Sequence, residues 1–218
     1  MKKLVIFDLD GTLLDTLGDL AASTNHALKH FGYKEHDYEA YRYFTGDGIT
    51  KLIERALPPD ARYEEKITQV RAEFISYYQA HKTELTHPYP GICDLLNTLH
   101  HEGIMLAVAS NKFHEATREL IHFYFENGTF DVVLGQRQDR PTKPHPAIVN
   151  EILEITETEK EYALYVGDSE IDMQTAINSG IESVGVTWGF RPRSELETNG
   201  ANHIVCHPTE ILDLIKQC

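Results

Sequence analysis

Cysteine is scarce in this chain. There are three in 218 residues, Cys93, Cys206 and Cys218, an odd count with no C-x-x-C pair. That argues against a disulfide framework and a zinc site, and for a reduced, cytoplasmic protein. Basic residues are also few: 20 Lys and Arg stand against 34 Asp and Glu, for a formal net charge of -14. A phosphate backbone would be repelled rather than gathered, so no nucleic-acid partner is expected. Long apolar runs are missing too. Met-Lys-Lys looks like a signal-peptide start, but the apolar run behind it is only Leu4 to Phe7 before Asp8 interrupts. It reads as a buried strand, and no segment approaches the length needed to span a membrane. The histidines form no H-E-x-x-H pattern and read mostly as surface residues.

What is present suits a folded domain. Hydrophobic residues make up 41% and charged residues 25% of the chain, ordinary values for a globular protein. The length fits one α/β domain, or a core with a small insert. In so acidic a chain, any site for an anion needs local positive charge from a metal, a lysine or a helix N-terminus.

Along the chain, a strand at Leu4–Phe7 gives way to helical spacing at Leu17, Leu20, Ala21, Thr24, Ala27, Leu28 and Phe31. Thr16 and Asp19 are candidates to cap that helix, and Gly32 to end it. More helical patterns follow around 38–44, 49–57 and 64–81, with no convincing strand between Asp15 and His87. After the stiff Pro88-Tyr89-Pro90-Gly91, strands and helices alternate. Strands are expected at 104–109, 132–134, 163–166, 183–186 and 204–205, with helices at 92–101, 114–125, 146–153, 171–179 and 208–216. This order predicts an α/β fold: a doubly wound parallel sheet, with an all-helical cap inserted after the first strand. The expected division is 1–14 with 88–218 for the core and 15–87 for the cap.

In an open parallel sheet, ligands gather at the carboxyl ends of the strands. Here those ends carry Asp8-Leu9-Asp10-Gly11-Thr12, Ser110-Asn111-Lys112, Pro141-Thr142-Lys143-Pro144 and Gly167-Asp168-Ser169 with Asp172 beyond. In order and spacing these four blocks resemble the haloacid dehalogenase superfamily. The motifs are D-x-D-G-T at Asp8–Thr12, Ser110 with Asn111, Lys143-Pro144, and G-D-S-x-x-D at Gly167–Asp172. The insert position resembles that family's helical C1 cap. Within the family the chain looks most like the phosphoglycolate phosphatases, on Pro88–Gly91, Val108–Lys112, Val186–Phe190 and the cap's Gly46-Asp47-Gly48 followed by Leu52-Ile53.

The resemblance implies a phosphotransferase acting on a small phosphorylated metabolite. Asp8 is the candidate nucleophile, forming an aspartyl-phosphate. Asp10 is the candidate acid that protonates the leaving oxygen, then the base for the hydrolytic water. Clustered carboxylates at a phosphate site call for a hard cation, and Mg2+ fits. The family pattern implies that Asp8, the Asp10 carbonyl and Asp168 hold it, with Asp172 acting through water or orienting one. Helix capping is the competing role for Asp168 and Asp172. Lys143 is expected to offset the charge of Asp8 and the phosphoryl group, and Ser110 to donate to a phosphate oxygen. Asn111 holds either the loop or the nucleophile. Gly11 and Thr12 bring backbone N–H groups to the phosphate, or else form a plain turn.

In the cap, Gly46, Asp47 and Gly48 are candidates for a loop at a helix N-terminus suited to a substrate carboxylate. A helix-joining turn with Asp47 as N-cap competes with that. Lys51 and Arg55 read as a solvated helix face, and Tyr38, Tyr41 and Tyr43 as cap packing. A dehalogenase is disfavoured by Asp10 and Asp168. A β-phosphoglucomutase, a pyrophosphatase, a nucleotidase and a non-catalytic module of the same fold stay open, as do monomer and homodimer.

Overall fold

A computed structural model describes residues 1–216; Cys218, one of the three thiols weighed above, lies outside the described residues. The chain forms two compact units, one built from Met1–Leu14 with the chain from Pro88 onward, the other from Asp15–His87. The first holds a six-stranded parallel sheet. Its strands are β1 (Leu4–Phe7), β4 (Met105–Phe113), β5 (Val132–Gln136), β6 (Ala163–Gly167), β7 (Glu182–Val186) and β8 (His203–Val205). They run in the order β5-β4-β1-β6-β7-β8. Two-residue strands, β2 (Leu14–Asp15) and β3 (His87–Pro88), occur where the chain passes from one unit to the other. Neither is among the expected strands.

The continuous apolar run of β1 is explained by burial on both faces. Val5 and Phe7 belong to one core cluster with Leu106, Val108, Leu164 and Val166. Leu4 and Ile6 point the other way, into a cluster with Ala107, Ala109 and Tyr165. That is the two-residue alternation of a strand covered on both sides. β1 pairs in parallel with β4 and β6, Phe7 opposite Val108 and Val166. The order of strands reverses around β1, so the carboxyl ends of β4, β1 and β6 border the crevice where such sheets bind ligands.

Helices α5 (Ile92–His101), α6 (His114–Tyr124), α7 (Ala147–Ile155), α8 (Glu170–Ser179), α9 (Arg193–Thr198) and α10 (Glu210–Lys216) complete this unit. α9 has no counterpart among the expected elements. β4 runs four residues beyond its expected end at Ala109, with a register shift against β5 between Ala109 and Phe113. Such a bulge re-aims side chains at a strand end. Here it falls on Ser110-Asn111-Lys112.

The second unit contains α1 (Leu17–His30), α2 (Tyr41–Phe44), α3 (Ile49–Ala56) and α4 (Glu64–His81). α1 and α4 bury Leu17, Leu20, Leu28, Val70, Phe74 and Tyr78. The expected caps of α1 differ from those found. Thr16 is the N-cap residue without a side-chain capping bond, and Asp15 Oδ1 accepts from Leu17 N at 3.2 Å. Asp19 faces inward instead, accepting from Leu85 N, Thr86 N and Thr86 Oγ1 at 2.9, 2.9 and 2.7 Å. Of the three cap tyrosines, Tyr41 is fully buried, while Tyr38 and Tyr43 are exposed. No helix among the described residues is long and apolar enough to cross a membrane.

Candidate active site

Asp8 is the first residue past β1, and its N–H donates to Val166 O at 2.9 Å, which keeps it beside the end of β6. There Asp8, Asp168 and Asp172, all buried, each bring a carboxylate oxygen within 4.8 Å of the others. Lys143 enters this cluster from the loop after β5. Its ammonium lies 2.8 Å from Asp8 Oδ1 and 2.7 Å from Asp172 Oδ1, and it donates to Tyr165 Oη at 3.0 Å. Three oxygens therefore match the three donors of the ammonium.

Burial pushes the Asp8 carboxyl well above the usual range, and the Asp172 charge adds to it; Lys143 pulls the other way without winning. Asp168 is pushed up to about 7, first by burial and then by Asp172, against the Phe190 N–H that favours its charged form. Burial alone would lower Lys143, but the Asp172 and Asp8 charges outweigh it and hold the ammonium firmly charged. Three buried carboxylates thus face one lysine. The imbalance fits a second, divalent positive charge held by oxygen ligands.

Around Asp168 the chain is drawn in tightly. Thr12 Oγ1 donates to Asp168 Oδ1 at 3.2 Å and Phe190 N to Oδ2 at 2.7 Å. A Cβ on Gly189 would sit 2.3 Å from Asp168 Cβ and 2.4 Å from Gly11 O. Only glycine allows that approach. A Cβ on Gly11, where φ is +89°, would likewise meet Asp168 Oδ2 at 2.3 Å.

Asp172 is fully buried and its oxygens are well supplied with donors. Oδ1 takes Lys143 and the Tyr165 hydroxyl (3.2 Å); Oδ2 takes Ser169 N at 3.1 Å and Ser169 Oγ at 2.6 Å. The capping role weighed for it from the sequence is therefore present, through Ser169 at the start of α8.

Geometry decides several roles that the sequence leaves open. The N–H groups of Gly11 and Thr12, considered as a phosphate cradle, donate instead to Leu14 O at 2.9 Å and Leu9 O at 3.3 Å. They close a turn. Of the two roles expected for Asn111, it takes the loop-holding one: its Oδ1 accepts from Lys143 N and its Nδ2 donates to Lys143 O. Ser110 is buried within the carboxyl-terminal half of β4, where its Oγ accepts from Lys112 N at 3.1 Å.

In the cap unit, Gly48, not Asp47, is the N-cap of α3. The Asp47 carboxylate is taken by Arg55, which also donates to Phe44 O at 3.1 Å. Arg55 thereby ties down the Gly46–Gly48 loop rather than standing free on a solvated face. His26 and His30, four apart on α1, face the Glu73 carboxylate at 3.1 and 3.8 Å.

Two residues of the site carried no role in the sequence reading. Lys112 Nζ donates to both oxygens of Asp10, at 2.9 and 3.1 Å. Tyr165 joins Lys143 and Asp172 from within β6. Tyr165 looks like one more apolar strand residue in the sequence. Lys112 could have been noticed from its place directly after Ser110-Asn111 at a strand end.

A parallel α/β sheet whose strand ends bring the first aspartate of a D-x-D turn, a lysine and a further aspartate pair into a buried cluster, with the second aspartate of the turn held by its own lysine, is the scaffold of a group-transfer hydrolase. The chain belongs to the haloacid dehalogenase-like hydrolases, whose family model matches residues 5–186. It is 30% identical over 213 residues to a phosphoglycolate phosphatase of Aquifex aeolicus, covering 98% of this chain and 96% of that one. It is 33% identical to a phosphoglycolate phosphatase of Cereibacter sphaeroides, covering 97% of each. A crystal structure of a protein from Lactobacillus delbrueckii subsp. bulgaricus superposes with a TM-score of 0.93 at 33% identity, covering 99% of both chains.

Proposed function

We propose that the protein is a magnesium-dependent phosphatase that hydrolyses a small phosphate monoester, 2-phosphoglycolate being the favoured substrate. The observation that carries this reading is the Lys143 ammonium set between Asp8 and Asp172, beside buried Asp168. The names of the relatives support the choice of substrate. The exposed free thiols Cys93 and Cys206 fit a cytoplasmic setting.

In this reading the attacking group is Asp8 Oδ2, which takes no hydrogen bond among the described residues, while Lys143 holds Oδ1. Attack on phosphorus forms the aspartyl-phosphate and breaks the bond to the leaving oxygen, which takes a proton from Asp10. Asp10 then accepts a proton from water as that water attacks phosphorus. The bond to Asp8 breaks, releasing inorganic phosphate and restoring the carboxylate. Lys143 offsets charge on Asp8 and on the transferring group, and Ser110 stands ready to donate to a phosphoryl oxygen. Asp8, the Asp10 carbonyl and Asp168 would hold Mg2+, which when bound neutralises phosphoryl oxygens. Asp172, with two donors on each oxygen, serves the site through Lys143 and Ser169.

The test is a panel of phosphate esters, 2-phosphoglycolate, β-glucose 1-phosphate, nucleoside monophosphates and pyrophosphate, each with Mg2+ and with EDTA. Preferred hydrolysis of 2-phosphoglycolate, abolished by EDTA and by Asp8→Asn, is the expected result. Turnover that survives Asp8→Asn in contaminant-free protein would remove the nucleophile assignment. Preference for another ester would replace the substrate and leave the chemistry standing.

A further inference from the structure

We propose that Lys112 is a positioning residue for Asp10: its ammonium contacts both carboxylate oxygens, and when one oxygen takes up a proton the contact to the other holds the group so that this proton is delivered to the leaving group from one fixed direction. The proposal rests on the acid–base role given to Asp10 above.

The two aspartates of the first turn have separate lysines. Lys143, from the loop after β5, holds Asp8, whereas Lys112, from the end of β4, holds Asp10 at 2.9 and 3.1 Å. Neither partner of the second pair is a surface group: the Lys112 side chain is 7% exposed and that of Asp10 18%. An exposed pair would be screened by water and would orient little; this one is largely removed from it. A contact to both oxygens also fixes the plane of the carboxylate, which a contact to one oxygen leaves free to turn.

The lysine is itself anchored. Its N–H donates to Ser110 Oγ at 3.1 Å, and Thr117 Oγ1 donates to its carbonyl at 3.2 Å. A Cβ on Gly135 of β5 would come within 2.6 Å of that same carbonyl, so the two strands are pressed together there. The register shift between Ala109 and Phe113 sets this segment apart from the regular ladder. The chain thus holds Lys112 from both sides before its ammonium meets Asp10. A general acid works only within hydrogen-bond reach of the atom it serves, and small misplacements of such groups are heavily penalised.

The experiment compares Lys112→Met with the wild type on phenyl phosphate and p-nitrophenyl phosphate, two esters of nearly the same shape and no carboxylate. Phenoxide leaves reluctantly and needs its proton; p-nitrophenoxide leaves readily without one. The quantity read is kcat/KM, which covers the steps through departure of the leaving group. Lost charge attraction, or a partly unfolded sample, lowers both values equally and cancels in their ratio. We expect a fall of about tenfold or more on phenyl phosphate and under about threefold on p-nitrophenyl phosphate. In an Asp10→Asn background, Lys112→Met should change the p-nitrophenyl phosphate rate by less than about twofold, because the group it positions is no longer an acid. Equal losses on the two esters, no loss on either, or an undiminished effect in the Asp10→Asn background would overturn the proposal. A wild-type protein inert on both esters would refute the phosphatase reading itself and remove the proposal with it.

Discussion

Asn111 reads both backbone groups of Lys143 with one side-chain amide, accepting from the N–H at 2.8 Å and donating to the carbonyl at 3.1 Å. The lysine's loop is thereby fastened to the end of β4. Asn111→Ala would leave a buried donor and acceptor without these partners, at a cost of about 1–3 kcal/mol. We expect a lower melting temperature together with a kcat about tenfold below wild type, since Lys143 would no longer be held against Asp8. Thermal melts and steady-state kinetics on the same preparation check both, and an unchanged kcat would show that the loop places itself.

Tyr165→Phe removes one of the three oxygens around the Lys143 ammonium while keeping the ring that fills the core. The remaining carboxylates still hold the charge, so stability should fall by only about 1 kcal/mol. Turnover should fall several-fold as the ammonium loses its third fixed direction. Lys143→Met should be far more damaging, by about a hundredfold or more in kcat. A Tyr165→Phe enzyme as impaired as Lys143→Met would contradict this ranking.

These two residues also mark how far the sequence could be read. The alternation of buried strands with amphipathic helices is written in spacing, so the sheet, its helices other than α9 and the insert are legible, as are the four strand-end blocks. Asn111 has two roles open to it in the sequence, because the choice depends on where the Lys143 loop comes to lie, a matter of tertiary packing. For the N–H groups of Gly11 and Thr12 the sequence offers a phosphate cradle or a plain turn, and local bonds to Leu14 and Leu9 make it the turn. Tyr165 was hidden because a tyrosine inside an apolar strand looks like core until its hydroxyl is located. The pairing of Lys112 with Asp10 joins residues far apart in sequence, through a bulge that no periodicity announces.

Metal binding can be read without catalysis. Mg2+ that binds only the folded state raises the melting temperature, contributing about 2.7 kcal/mol at a hundred times its Kd. We expect such a rise for wild type and its loss in Asp168→Ala. Asp172→Asn should keep part of the rise, because Asp172 acts through Lys143 and Ser169. A full rise in Asp168→Ala would place the cation elsewhere.

Glu182 offers a pH-dependent contribution away from the site. Its carboxylate is held below the usual range first by the hydrogen bond from Lys2, then by that from His203, each at 2.8 Å. A lowered folded-state value means stability that is present above the unfolded glutamate range and lost as pH falls through the lowered one. The side chain is 38% exposed, so water screens the pairs, and Glu182→Gln should cost only about 0.5 kcal/mol at pH 7. The gap between the two melting curves should narrow as pH falls through the ordinary glutamate range and close once the folded-state carboxylate is protonated. A gap that persists there would mean that packing, not charge, is what the glutamate supplies.

Asp19 has a consequence for how this chain can be taken apart. By holding Leu85 and Thr86 to the start of α1, it staples the entrance of the inserted unit to its exit. A module whose two ends are already joined asks little of its host beyond two neighbouring attachment points. It can in principle be excised and replaced by a short tether, or traded for another module, with the sheet left to fold on its own apolar layers.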